Sequence, residues 1–256
     1  MSVSFDRAAD YYDRTRAAPD AVMDLLIRSL TEALPQDELC LEIGVGTGRI
    51  ALPLVEAGVN IVGVDISSEM LRKLTAKRLD AWPQVMIADA TRLPFAASTF
   101  GAGVASHVLH LIPQWRDAVA EITRVVRPGG VLAASRGSRL EGGWRDRVTR
   151  RFFDEAGNPP WPPGMNGIEQ LDAVMTDLGA QPQPFPDLIA EETASIEDML
   201  GAMNSGIWAA CWSLDDATRR RAVNATREWA RREFGDLDVA RPAPSGSVWR
   251  VYRLPQ

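Results

Sequence analysis

Leu41-Glu42-Ile43-Gly44-Val45-Gly46-Thr47-Gly48-Arg49-Ile50 reads as a short apolar strand, a turn holding three glycines, and the first residues of a helix. Glycine at Gly44, Gly46 and Gly48 lets the backbone take positive φ and leaves room for a ligand against the main chain. The helix that follows turns its unpaired N–H groups and its positive dipole end toward that space. A nucleotide or a carboxylate suits such a place. The spacing is G-x-G-x-G, not the G-x-G-x-x-G of dinucleotide folds. Glu42 puts a carboxyl inside the end of the strand.

Outward from this stretch, strands and helices alternate. Leu39–Ile43 is strand one, and Arg49–Ala57 is a helix closed by Gly58. Val59–Val64 is strand two, and Ser67 or Ser68 caps a helix running to about Leu79. Val85–Ala88 and Gly101–Ser106 are strands three and four. Pro113–Val126 is a helix opened by proline, Arg127-Pro128-Gly129-Gly130 a turn, and Val131–Ser135 strand five. Such alternation implies a parallel sheet with helices on both faces. Right-handed crossovers then gather the strand ends on one edge, where ligands bind.

Upstream, Ala21–Leu30 carries apolar residues at helical spacing, with Pro19 and Asp20 at its start. Downstream, residues 137–165 are rich in Gly, Pro, Arg and aromatics (Trp144, Phe152, Phe153, Trp161) and read as a loop-rich insertion. Ile168–Leu178 is a helix, Leu188–Ser195 a sixth strand, and Ile196–Met203 and Leu214–Phe234 are helices. Val248–Arg253 alternates apolar and polar residues, as expected of an antiparallel edge strand.

Three strand ends carry candidate chemistry. Strand two ends in Val64-Asp65-Ile66, and a carboxylate there is placed to accept from both hydroxyls of an unphosphorylated ribose. An exposed Asp opening a helix is the plainer alternative. Strand three ends in Ala88-Asp89-Ala90, followed by Thr91-Arg92-Leu93-Pro94-Phe95. Strand four leads into Ser106-His107-Val108-Leu109-His110, which holds both histidines of the chain. Imidazole titrates near neutrality and takes up protons from acidic groups. His110 is the candidate base, although packing accounts equally well for either histidine. No Cys-x-x-Cys or other metal motif is present.

Taken in order, the glycine turn, Asp65, Asp89-Ala90 and the Leu-Pro-Phe run resemble the class I S-adenosylmethionine-dependent methyltransferases, in particular the ubiquinone-biosynthesis-like group acting on small molecules. The resemblance covers residues 38–135 in motif and the whole chain in layout. It implies a Rossmann-like α/β fold: a seven-stranded, mostly parallel sheet with an antiparallel last strand. It also implies one domain over 1–256, with a helical N-terminal cap (1–35), a cofactor-binding core (36–136) and acceptor-side insertions at 137–167 and about 196–235. S-adenosylmethionine is the implied cofactor and S-adenosylhomocysteine the product. By resemblance, Glu42, Gly44, Gly46 and Gly48 form the cofactor loop and Asp65 takes the ribose. Asp89 accepts from the adenine amino group, and the Ala90 N–H meets a ring nitrogen. Ile66 and Met70 pack on the adenine, and Ser106 lies by the methionyl amine. The segment Tyr11-Tyr12-Asp13-Arg14 resembles a "YDR" element that folds over the cofactor, and Tyr11 is its expected contact.

The totals narrow the partners. The chain has 256 residues, 46% hydrophobic and 24% charged, with a net charge of −6. That is an ordinary globular balance without the basicity nucleic-acid binding needs. No run approaches the roughly 18 apolar residues of a membrane span, and the first residues lack a signal-peptide core. Two cysteines, Cys40 and Cys211, make no disulfide framework and suit a reducing cytoplasm. A small, partly apolar acceptor is expected. A sulfonium methyl is already activated, so alignment and exclusion of water suffice, and the lack of a catalytic triad is no objection. Two rival readings are a non-catalytic S-adenosylmethionine-binding regulatory or scaffold domain and an NAD-dependent oxidoreductase. The glycine spacing and Asp89-Ala90 disfavour the second. Of the 28 Lys and Arg, only Lys73 and Lys77 are lysines, which reads as a compositional bias.

Overall fold

The computed structural model describes residues 4–16, 19–77, 82–137, 143–160 and 164–256. In chain order the elements are α1 (Tyr12–Arg16), α2 (Asp20–Ala33), β1 (Leu39–Ile43), α3 (Ala51–Glu56), β2 (Asn60–Asp65), α4 (Ser68–Thr75), β3 (Gln84–Ile87), β4 (Phe100–Ser106), α5 (Trp115–Val125) and β5 (Val126–Gly137). They continue as α6 (Trp144–Glu155), α7 (Glu169–Asp177), β6 (Gln181–Gln183), β7 (Leu188–Ala190), β8 (Thr193–Ala194), α8 (Ile196–Ser205), α9 (Asp216–Phe234), β9 (Arg241–Pro242) and β10 (Ser245–Arg253). The chain divides into two compact units: Met1–Gly137 with Pro163–Leu188 and Ser247–Gln256, and Ser138–Pro162 with Ile189–Gly246.

The first unit is a mixed, mostly parallel α/β sheet in the order β3-β2-β1-β4-β5-β10-β6. The five strands from β3 to β5 run parallel, and β10 is antiparallel to both β5 and β6. The central strands bury both faces, so their side chains split by parity between two cores. Leu41, Ile43, Val64, Leu132 and Ala134 pack with Ile122 of α5 and Leu171 of α7. Cys40, Ile61, Ala102, Val104 and Ala133 pack with Leu30 of α2, Leu54 of α3 and Leu74 of α4. Burying a side chain of this size stabilises by about 1.5–3 kcal/mol. Register then places the site. Ile43 pairs with Val64 on one side and with Ala105 on the other, so Gly44, Asp65 and Ser106 emerge side by side at one edge.

The structure departs from expectation at several elements. Residues 127–130 do not leave the sheet as a turn. They form a bulge within β5, where the register to β4 shifts between Phe100 and Ala102 and Gly129 takes φ +66°. The last strand is antiparallel as expected, but β10 is interior. Trp249, Val251 and Tyr252 are buried, and the Tyr252 hydroxyl donates to Asp172 of α7 at 2.5 Å. The edge is instead the three-residue β6, whose Pro182 suits an unpaired side. The expected sixth strand at 188–195 is broken into β7 and β8, and β8 pairs with β9. The helix from Ser68 ends at Thr75; Leu79 and Trp161 lie outside the described residues.

The second unit is helical. The stretch read as loop-rich contains α6, whose Val148, Phe152 and Phe153 are buried with Met199 and Leu200 of α8 and Val223 of α9. The Ser195 and Asp215 side chains cap α8 and α9 by accepting from Asp198 and Thr218 N–H. Arg227 of α9 donates to Glu197 of α8. No helix among the described residues is long and apolar enough to cross a membrane.

Candidate active site

The glycine turn leaves β1 in the conformation its sequence requires. Gly44, Gly46 and Gly48 have φ of +64°, +56° and +84°. A Cβ on Gly44 would lie 2.4 Å from Val108 Cγ2, so that position needs glycine for its space as well as its backbone angle. Gly44→Ala is expected to cost at least about 1–3 kcal/mol in folding or in a displaced loop. Denaturant melting and a ligand titration check this together, and a variant that matches wild type in both rejects the tight contact.

The loop fixes Asp65. Gly46 N–H donates to Asp65 Oδ2 and Ser67 N–H to Oδ1, both at 2.8 Å. Burial raises the Asp65 carboxyl above its ordinary range, against the pull of these N–H groups. Ser67 Oγ in turn accepts from Met70 N–H at 3.1 Å and starts α4. Two strands away from β1, Asp89 Oδ1 accepts from both Thr91 N–H and Thr91 Oγ, at 2.9 and 2.8 Å. Among the described residues Oδ2 accepts from none.

These groups converge on one cleft of about 660 Å³, counting its open mouth. Of the residues expected from sequence, Gly44, Gly46, Asp65, Ile66, Met70, Asp89, Ala90 and Ser106 line it. Ile66 remains 41% exposed there, an apolar surface facing the cleft. Glu42, Gly48 and Tyr11 are not on the wall. Gly48 N–H closes the turn on Val45 O at 2.9 Å. Tyr12, the neighbour of Tyr11, faces the cleft instead, beside Phe5.

Glu42 lies behind the loop, 2% exposed. The nearby Ala51 N–H favours its ionised form, and among the described residues Oε2 has no hydrogen-bond partner. Burial pushes its carboxyl up to about 8, Arg49 pulls it down, and Asp65 pushes it further up.

The two histidines separate. His107 lines the cleft with Val108, Leu111 and Ile112. It has φ +50°, a region in which non-glycine residues are uncommon and histidine is enriched. Its N–H donates to Ser135 O at 3.2 Å. His110 is off the wall, in a 3₁₀ turn at Leu109–Leu111, where its carbonyl accepts from Gly164 N–H at 3.1 Å. Among the described residues no group of three or more His, Cys, Asp or Glu is arranged to hold a metal.

A family model described as a methyltransferase domain matches residues 41–134. A demethylmenaquinone methyltransferase of Beutenbergia cavernae is 32% identical over 206 residues, covering 77% of this chain and 76% of that protein. The chain belongs to the methyltransferase family. An uncharacterized methyltransferase of Mycobacterium tuberculosis is 33% identical to it over 207 residues, 77% of this chain and 79% of that one. Against a demethylmenaquinone methyltransferase of Streptomyces avermitilis the match is 33% over 130 residues and spans 55% of the relative. The Bacillus subtilis YcgJ protein shares the fold of this methyltransferase, with a TM-score of 0.62 at 17% identity, over 92% of this chain and 99% of that one.

Proposed function

We propose that this methyltransferase binds S-adenosylmethionine in the cleft and methylates a small, partly apolar acceptor, leaving S-adenosylhomocysteine. The observation that carries the reading is the convergence of the Gly44–Gly46 turn, Asp65 and Asp89 on one cleft at a single sheet edge. The residues fit that cofactor. Asp65 is held by two N–H donors and retains lone pairs for ribose hydroxyls. Asp89 Oδ2 has acceptor capacity for an amino group. Ile66 and Met70 offer apolar surface to a base, and the turn has no side chains to block the approach of a ligand. We assign the neighbourhood of the methionyl amine to Ser106 and an indirect charge effect to Glu42, which acts from behind the loop.

When bound, the cofactor supplies a sulfonium methyl activated for in-line displacement. The work left to the chain is alignment and exclusion of water, which the apolar wall of Val108, Leu111 and Ile112 serves. Where the acceptor atom carries a proton, we assign its removal to His107, the histidine that lines the cleft. The acceptor class is that of the curated small-molecule methyltransferases the chain resembles. The buried, unpaired Cys40 and Cys211 suit a reducing cytoplasm.

Calorimetric titration with S-adenosylmethionine, S-adenosylhomocysteine and NAD tests the reading. The two sulfur compounds bind and NAD does not. Asp65→Ala weakens S-adenosylhomocysteine by about 1–3 kcal/mol, because ribose hydroxyls lose their acceptor. NAD binding alone, or unchanged affinity in Asp65→Ala, overturns the assignment.

A further inference from the structure

Both lysines of this arginine-rich chain lie on or just after α4, four residues apart, and both reach the N-terminal segment. Lys73 Nζ pairs with Asp10 at 2.6 Å and Lys77 Nζ with Asp13 at 2.9 Å. The Lys77 contact is part of a closed ring. Thr47 Oγ donates to Asp13 Oδ1 at 2.5 Å, and Lys77 Nζ also donates to the Thr47 carbonyl at 2.6 Å. Thr47 is buried between Gly46 and Gly48, in the turn whose Gly46 N–H holds Asp65. A third tie lies nearer the chain start, where Ser67 Oγ donates to Asp6 Oδ1 at 2.5 Å. Next to these ties the segment carries Phe5 and Tyr12, in edge-to-face contact at 5.9 Å, onto the cleft wall.

We infer that Lys77 is a positioning residue of the methyltransferase: it locks the segment bearing Phe5 and Tyr12 to the glycine turn through Asp13 and Thr47. Segment closure and turn geometry are thereby coupled, so ligand in the cleft leaves only as the lock opens. Lys73 contributes less. Its partner Asp10 is 83% exposed, whereas the Lys77 and Asp13 side chains are 31% and 49% exposed. An ion pair in open solvent is worth little, while a lysine held by a carboxylate and a carbonyl together makes stronger, charge-assisted bonds. The inference rests on the cleft being the cofactor site.

Stopped-flow dissociation of S-adenosylhomocysteine tests it, with amide hydrogen exchange of residues 4–16 read in parallel. Lys77→Met speeds dissociation about tenfold and deprotects the segment. Lys77→Arg restores most of the wild-type rate, and Lys73→Met changes it little. Asp13→Asn, which breaks the same ring from the other side, reproduces Lys77→Met. Raising salt from about 0.05 to 0.5 M speeds wild-type release and leaves Lys77→Met nearly unaffected. Equal off-rates and equal exchange in wild type, Lys77→Met and Asp13→Asn overturn the inference while leaving the cofactor reading intact. A wild-type protein that binds no S-adenosylhomocysteine removes both.

Discussion

Glu42→Gln gains stability relative to the wild-type protein as pH rises, by several kcal/mol between about pH 5 and pH 9. A carboxyl that titrates near 4.5 when free and at about 8 in the fold holds its proton more tightly when folded. Its contribution therefore favours folding fully below pH 4.5 and is lost as pH rises through about 8. At about 1.4 kcal/mol per tenfold change in proton concentration, the loss is on the order of 4–5 kcal/mol. Glutamine has no proton to lose. It keeps an oxygen for the Ala51 N–H but leaves a buried amide N–H without a partner, a pH-independent cost of about 1–3 kcal/mol. The variant thus begins weaker than wild type in acid and overtakes it in base. Urea denaturation of both proteins at matched pH values measures the difference. Parallel stability curves would show that Glu42 ionises as an ordinary solvated carboxylate. A cation in the cleft would act on Glu42 with the same sign as Arg49 and favour the ionised form, so a bound sulfonium is expected to shrink the pH-dependent loss and end it at lower pH.

Strands β1, β2, β4 and β5 were legible because each carries an apolar run buried in the sheet and bounded by turn residues or caps, and β3, exposed at the far edge, was legible from its short Val85-Met86-Ile87 run. Once those runs align in parallel, the residues after Ile43, Val64 and Ile87 must meet at one edge, so Gly44, Asp65 and Asp89 could be read together. What was not legible depends on distant partners. Alternation in β10 shows which side chains turn inward, but not that β6, far earlier in the chain, would pair along its outer side. Helix α6 was masked by the Gly and Pro around it. Its apolar stripe of Val148, Phe152 and Phe153 is short, and arginines fill the remaining face. The N-terminal segment has no apolar period, because ion pairs and single hydrogen bonds hold it rather than a buried stripe. The lysine bias likewise acquired meaning only when Asp10, Asp13 and Thr47 were seen opposite Lys73 and Lys77. The choice between Tyr11 and Tyr12, one residue apart, turns on how a short helix is rotated.

His107→Asn lowers turnover of a hydroxyl-bearing acceptor by about 10²–10⁴ if the imidazole takes the acceptor proton, while affinity for S-adenosylhomocysteine stays at the wild-type level. Asparagine is the informative replacement. The backbone at this position has φ +50°, which asparagine adopts as readily as histidine, so the loop and the Ser135 bond survive while the base is removed. Alanine would mix the loss of the base with a shift of the turn that carries Ser106 and Val108. His110→Asn is the matched control, since it changes the other histidine at a position off the cleft wall and should leave turnover near normal. The measurement is single-turnover methyl transfer from labelled S-adenosylmethionine to acceptors found by screening small, partly apolar compounds that carry a hydroxyl, alongside calorimetry for the cofactor product. A loss in His110→Asn with normal turnover in His107→Asn returns the base to His110. Near-normal turnover in both variants means that alignment and a dry cleft carry the rate without a base, as an already activated methyl group allows.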